Sequence, residues 1–180
     1  ILEYEKVSNR LGLYPDSSNE ALKNAISEKY SLDFDRIVCG CGSDEILQLL
    51  ARVYLEEGDE GLISENAFAV YPLAIQSSGA SIVRANENQF QPDIDNFISS
   101  ITDKSKIIYI ANPNNPTGSY IKYEDIKRLY EFIPSNLLFV IDAAYSEYVE
   151  EEKDYSIGFE LAKESENIVI TKTFSKAYGL

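Results

Sequence analysis

Lys106-Ile107-Ile108-Tyr109-Ile110 runs through Ala111 straight into Asn112-Pro113-Asn114-Asn115-Pro116-Thr117-Gly118. An apolar run of this length with no polar alternation reads as a strand covered on both faces, the signature of a parallel sheet. Two Asn-Pro pairs at the end of such a strand are more than a surface turn requires. The prolines fix the backbone and can aim an Asn amide at a ligand.

Working outward, the same alternation recurs on both sides. Before it, Asp16-Ser17-Ser18-Asn19 offers helix caps for a stripe of Ala21, Leu22, Ala25, Ile26 and Tyr30. Arg36 to Cys39 reads as a short buried strand ended by Gly40-Cys41-Gly42. Ser43 can cap a helix whose stripe is Ile46, Leu47, Leu50, Val53 and Tyr54. A strand over Gly61 to Ile63, a helix over Tyr71 to Gln76, a strand over Ser81 to Arg84 and a helix from Asp93 follow. After the Asn-Pro loop come a helix over Tyr123 to Phe132, a strand over Leu137 to Ile141 and a last strand over Asn167 to Thr171. Strands of four to six residues alternating with helices predict a three-layer α/β/α fold around a mostly parallel sheet. Ligands in such folds sit beyond the C-terminal ends of the strands.

Composition narrows the function classes. Of 180 residues, 44% are hydrophobic and 26% charged, the profile of a folded globular chain. No apolar run reaches the roughly 20 residues of a membrane span, and Ile1-Leu2-Glu3-Tyr4-Glu5-Lys6 lacks a signal-peptide layout. A net charge of −14 argues against nucleic acid or an anionic membrane as partner, because phosphate backbones are bound by Lys and Arg. Histidine is absent, which removes His acid–base chemistry and His metal ligands; no metal site is expected. Cys39 and Cys41 stand one residue apart, where a bridge would be strained, and read as packing or loop residues of a cytoplasmic protein.

Four strand-end loops carry candidate chemistry. Gly40-Cys41-Gly42-Ser43-Asp44-Glu45 joins a strand to a helix start, where free N–H groups suit a phosphate. Glu45 stands where a dinucleotide fingerprint needs its third glycine, so a nicotinamide site is not indicated; taken alone, the loop reads as a tight turn with a Ser cap. The Asn-Pro loop is the second. The third, Asp142-Ala143-Ala144-Tyr145, places a carboxylate at the end of five apolar residues. Burying it is costly without a positive partner, and a helix cap at the strand end is the plainer reading. The fourth, Thr171-Lys172-Thr173-Phe174-Ser175-Lys176-Ala177-Tyr178-Gly179, offers two lysines that a buried strand end could make nucleophilic.

In this order and spacing the loops resemble the large domain of fold-type-I, pyridoxal-phosphate-dependent aminotransferases. Tyr14-Pro15-Asp16, Gly42-Ser43-Asp44-Glu45, Ala67-Phe68-Ala69-Val70-Tyr71 and Asn112 to Gly118 resemble the histidinol-phosphate aminotransferase group in particular. The resemblance implies pyridoxal phosphate as cofactor. Lys176 would hold it covalently and act as the base, preferred over Lys172 through the Ser175-Lys176 pair. Asp142 would face the pyridine nitrogen, keeping it protonated as an electron sink, and Tyr145 and Asn115 would bond the ring's 3′-oxygen. Phe68 would stack on the ring. Gly42, Ser43, Asp44 and Thr173 would hold the phosphate, helped by Tyr14 of a partner subunit in a homodimer.

The implied reaction is transfer of an amino group between histidinol phosphate and 2-oxoglutarate, in histidine biosynthesis. Other readings are an aromatic or broad-specificity aminotransferase, an amino-acid-phosphate decarboxylase, or a non-catalytic domain that kept the fold. The chain has no methionine and opens on Ile1, so residues 1–180 are expected to be a partial large domain, without the small C-terminal domain. The family's phosphate-binding and carboxylate-binding arginines would then lie beyond Leu180, and the piece alone is expected to be inactive.

Overall fold

The computed structural model describes residues 2–8 and 11–180, with residues 2–4 described by their backbone alone. It divides into two compact units, Ile1–Cys39 and Gly40–Leu180.

The first unit carries helices α1 (Leu2–Val7) and α2 (Glu20–Tyr30) and a 3-10 turn at Phe34–Arg36. Asp16 starts α2 from a distance: its carboxylate accepts from the backbone N–H of Ser18 and of Glu20, both at 3.0 Å. Asn19, the residue next to the helix, takes a left-handed conformation instead and caps nothing with its side chain. The strand expected at Arg36 to Cys39 does not form. Asp33 accepts from the Asp35 N–H and closes the 3-10 turn, and beyond it Val38 is 77% exposed. An apolar run becomes a strand only where a neighbour takes up its backbone groups, and among the described residues no strand pairs with this one.

The second unit holds a five-stranded sheet of β1 (Glu60–Ser64), β2 (Ser81–Ala85), β5 (Ser105–Ala111), β6 (Leu138–Asp142) and β7 (Ile168–Thr171). Its order is β2-β1-β5-β6-β7 and every pairing is parallel. A separate two-stranded hairpin, β3 (Glu87–Asn88) with β4 (Gln91–Pro92), was not foreseen from the sequence. Because side chains alternate along a strand, the sheet builds two cores. Ile63, Ile107, Tyr109, Leu138 and Val140 face α3 (Gly42–Tyr54) and α4 (Val70–Ser77). Leu62, Ile108, Ile110, Phe139 and Ile141 face α5 (Ile94–Ser100) and α6 (Tyr123–Tyr130). This is the expected α/β/α layering.

Two local features shape the packing. Gly61 lets α4 lie flat on β1: a Cβ there would come within 2.6 Å of the Ile75 side chain. The stripe expected on α3 is rotated, with Leu47 and Ala51 buried while Val53 is 76% exposed. Ser43 lies inside the first turn of α3 instead of capping it; Glu45 does that work, accepting the Cys41 N–H at 2.6 Å. In the strand order, β1 leads outward to β2 and the chain then crosses to β5 on the other side. The crevice beyond the ends of β1 and β5 is therefore the switch point where such sheets bind ligands.

Candidate active site

Asp142 ends β6 in register with Ala111 of β5 and Thr171 of β7, so three strand ends meet around it. It is 4% exposed. Its Oδ2 accepts from the Tyr71 hydroxyl at 2.8 Å, and its Oδ1 from the Thr171 hydroxyl at 2.9 Å and the Ala144 N–H at 3.3 Å. Burial pushes the carboxyl above its ordinary value, while these donors and the charge of Lys176 pull the other way. With about four acceptor positions on a carboxylate, Oδ2 keeps room for one more donor. A cationic N–H is the partner that would offset the cost of burying this charge.

Tyr71, expected only as a helix start and part of the Ala67–Tyr71 motif, is a site residue. It is fully buried on α4, stacks on Tyr109 at 5.1 Å and meets Phe68 edge-on at 5.7 Å. Burial, followed by the Asp142 charge, drives its ionisation well above the usual value, so it remains a donor. Tyr109 in turn donates to the Leu47 carbonyl at 2.8 Å, tying α3 to the sheet. A buried Tyr in the sequence needs an acceptor and a buried Asp needs donors; that complementarity was the available signal.

The two candidate lysines separate clearly. Lys176 is exposed, with its Nζ 5.7 Å from the centre of the Tyr145 ring. Lys172 is occupied: its Nζ lies 2.6 Å from Glu147 Oε1 and hydrogen-bonds the Ser146 hydroxyl. Glu147 sits on the 3-10 turn Ser146–Tyr148 that directly follows Tyr145. Thr173 is buried and its hydroxyl takes the Ser175 N–H at 3.2 Å, shaping the turn before Lys176.

In the Asn-Pro loop the asparagines divide their labour. Asn112 bridges the loop's own backbone, donating to the Ile121 carbonyl at 3.0 Å and accepting the Ile121 N–H at 2.8 Å. Asn114 donates to the Asn66 carbonyl and to Thr117. Both Asn112–Pro113 and Asn115–Pro116 are cis. Asn115 is half-buried and its amide makes no hydrogen bond among the described residues, leaving it available to a ligand. The N–H groups of Ser43 and Asp44 open α3, where no intrahelical acceptor exists for them. Gly42, with φ of 78°, adopts the backbone that only glycine takes without strain.

Asp142, Tyr145 and Lys176 are thus brought together at adjacent strand ends, and Phe68 reaches them through Tyr71. Tyr14 belongs to the other unit and is fully exposed there. The two cysteines are free, and among the described residues no His/Cys/Asp/Glu group could hold a metal. No helix among them is long and apolar enough to cross a membrane.

The sequence matches the family description "Aminotransferase class I and II" over residues 3–180. The chain belongs to the class I and II aminotransferase family. Among curated members, a histidinol-phosphate aminotransferase of Rhodopseudomonas palustris (strain HaA2) is 46% identical over 180 residues, all of this chain and 49% of that protein. One from Nitrobacter hamburgensis is 47% identical over 177 residues, 98% of this chain and 48% of that protein. The solved histidinol-phosphate aminotransferase of Sinorhizobium meliloti, in complex with pyridoxal-5′-phosphate, superposes with a TM-score of 0.92. It is 26% identical and covers 99% of this chain and 48% of its own. The chain therefore spans about half the length of the aminotransferases it matches.

Proposed function

We propose that this chain forms the cofactor-binding part of a pyridoxal-phosphate-dependent aminotransferase. The observation that carries the reading is the buried Asp142 carboxylate, held by three donors yet with acceptor room left on Oδ2. A pyridinium N–H fits that position. The cofactor, when bound, supplies an electron sink for the carbanion left after a proton leaves the substrate's α-carbon.

Each residue then has a task. Asp142 holds the ring nitrogen in its protonated form. Lys176 would hold the cofactor, and its amine, when free, would be the base that accepts and gives back the substrate's α-proton. Tyr145 and Asn115 bond the ring's 3′-oxygen, and Phe68 covers one ring face. Gly42, Ser43, Asp44 and Thr173 receive the phosphate, Ser43 and Asp44 through the open N–H groups of α3. Tyr14 serves a partner subunit's phosphate in a homodimer.

Histidinol phosphate with 2-oxoglutarate is the proposed substrate pair, supported by the names of relatives 42–47% identical over nearly the whole chain. A cytoplasmic location, no nucleic-acid partner and a further C-terminal domain belong to the same proposal. The test is amino transfer by the full-length protein with this pair, with and without added cofactor. Cofactor-dependent turnover of histidinol phosphate supports the proposal. A protein that never gains cofactor absorbance, or that turns over other amino acids at least about tenfold better, a gap of roughly 1.4 kcal/mol, contradicts it.

A further inference from the structure

Glu147 lies two residues beyond Tyr145 and contacts the lysine loop at Lys172. Its Oε1 is 2.6 Å from Lys172 Nζ, and the Ser146 hydroxyl lies 3.3 Å from its Oε2. Lys172 stands four residues before Lys176. The site is partly enclosed, with side-chain exposures of 21% for Lys172 and 14% for Glu147. Ser146, itself buried, adds a second acceptor for the same amine. Burial would push the Glu147 carboxyl up, but the groups around it, Lys172 first, outweigh it and hold the carboxyl below its ordinary value, so it stays charged.

Two lysines four residues apart beside one cofactor site pose a problem of choice. To attach to an aldehyde, an amine attacks the carbonyl carbon with its lone pair. The carbonyl oxygen leaves as water with two protons from nitrogen, and a carbon–nitrogen double bond remains. An amine committed to a carboxylate and a hydroxyl does not present that lone pair. The Lys176 amine, by contrast, makes no hydrogen bond or ion pair among the described residues and lies 5.7 Å from the centre of the Tyr145 ring.

We propose that Glu147 is a positioning residue that selects the lysine: by holding Lys172 it withholds that amine and ties down the loop that presents Lys176. This rests on the reading of Lys176 as the cofactor lysine. Nothing in the pair touches the reacting atoms; Glu147 acts through its neighbours.

The test uses full-length protein loaded with pyridoxal phosphate, reduced with borohydride and mapped by peptide. Borohydride adds hydride to a carbon–nitrogen double bond and leaves a stable amine at whichever lysine was attached. In the Lys176→Ala protein, Glu147 still holds Lys172, and label on Lys172 stays at background. In Lys176→Ala/Glu147→Gln the amine is released, and label on Lys172 rises at least about tenfold, a change equivalent to roughly 1.4 kcal/mol. Equal labelling of Lys172 in the two proteins, high or low, overturns the proposal.

A measurement on the unaltered, cofactor-free protein guards against a variant that does not fold. An amine-reactive reagent should modify Lys176 at least about tenfold faster than Lys172, and similar rates overturn the proposal as well. Label on neither lysine in the unaltered holoprotein would instead count against the cofactor reading itself, which keeps the two failures apart.

Discussion

Replacing Tyr71 by Phe removes one hydroxyl and keeps the ring that stacks on Tyr109 and meets Phe68. Asp142 Oδ2 loses its 2.8 Å donor, while Thr171 and Ala144 both bond Oδ1 and cannot substitute. Tyr71 is 0% and Asp142 4% exposed, so the pair is shielded from bulk water. A hydrogen bond to a charged group contributes about 1.5–3 kcal/mol, and one between neutral groups about 0.5–1.5 kcal/mol. The sign of the pH effect follows from the carboxyl. Burial already raises its folded-state pKa, and Tyr71 is the first of the groups that counter it. Without the hydroxyl the folded-state pKa climbs further, while the unfolded-state value is unchanged. A carboxyl whose pKa is higher folded than unfolded loses stability as pH rises from the unfolded value through the folded one. The variant's deficit is therefore full above the folded pKa and shrinks in acid, where Asp142 is protonated. Tyr71 itself ionises far higher and does not enter. In urea unfolding of the cofactor-free full-length protein, Tyr71→Phe should cost about 1.5–3 kcal/mol near neutral pH and clearly less near pH 4. A deficit that is the same at both, or below about 0.5 kcal/mol at neutrality, the ordinary scatter of surface changes, refutes the reasoning.

Asp142→Ala should lower amino transfer by the full-length protein by at least about a hundredfold and weaken cofactor binding, since a preorganised charge is lost; near-normal turnover would mean that the ring nitrogen is held otherwise. Gly61→Ala drives a methyl group into Ile75 and should lower stability by about 1–3 kcal/mol, read as a fall in the urea midpoint. Sedimentation of the full-length protein should give a dimer, and an active monomer would remove Tyr14 from the proposed site. The 180 residues alone, assayed beside the full-length protein with saturating cofactor, should show no turnover.

The sheet was legible because β5 and β6 are continuous apolar runs, which only a two-sided core accommodates. Arg36 to Cys39 had similar local character and failed, because strand formation depends on a neighbour that no local pattern encodes; the exposed Val38 records the difference. The β3–β4 hairpin is two residues a side, too short to leave a period. At the site, Asp142 and Lys176 were visible as costly residues at strand ends. Their supporting shell was not. Tyr71 is 71 positions from Asp142, and Lys172 is 25 positions from Glu147; only the parallel register of β6 with β7 and the packing of α4 bring these pairs together. Asn114 and Asn115 are neighbours of one type, yet one is spent on Asn66 and Thr117 while the other's amide makes no hydrogen bond among the described residues, a distinction set by the loop's fold.

The central claim is that Lys176 carries the cofactor, and trapping tests it most directly. Full-length protein loaded with pyridoxal phosphate is reduced with borohydride, digested and mapped. The pyridoxyl group should be found on Lys176, the exposed amine beside Tyr145. Finding it on Lys172, the amine held by Glu147 and Ser146, would contradict the account.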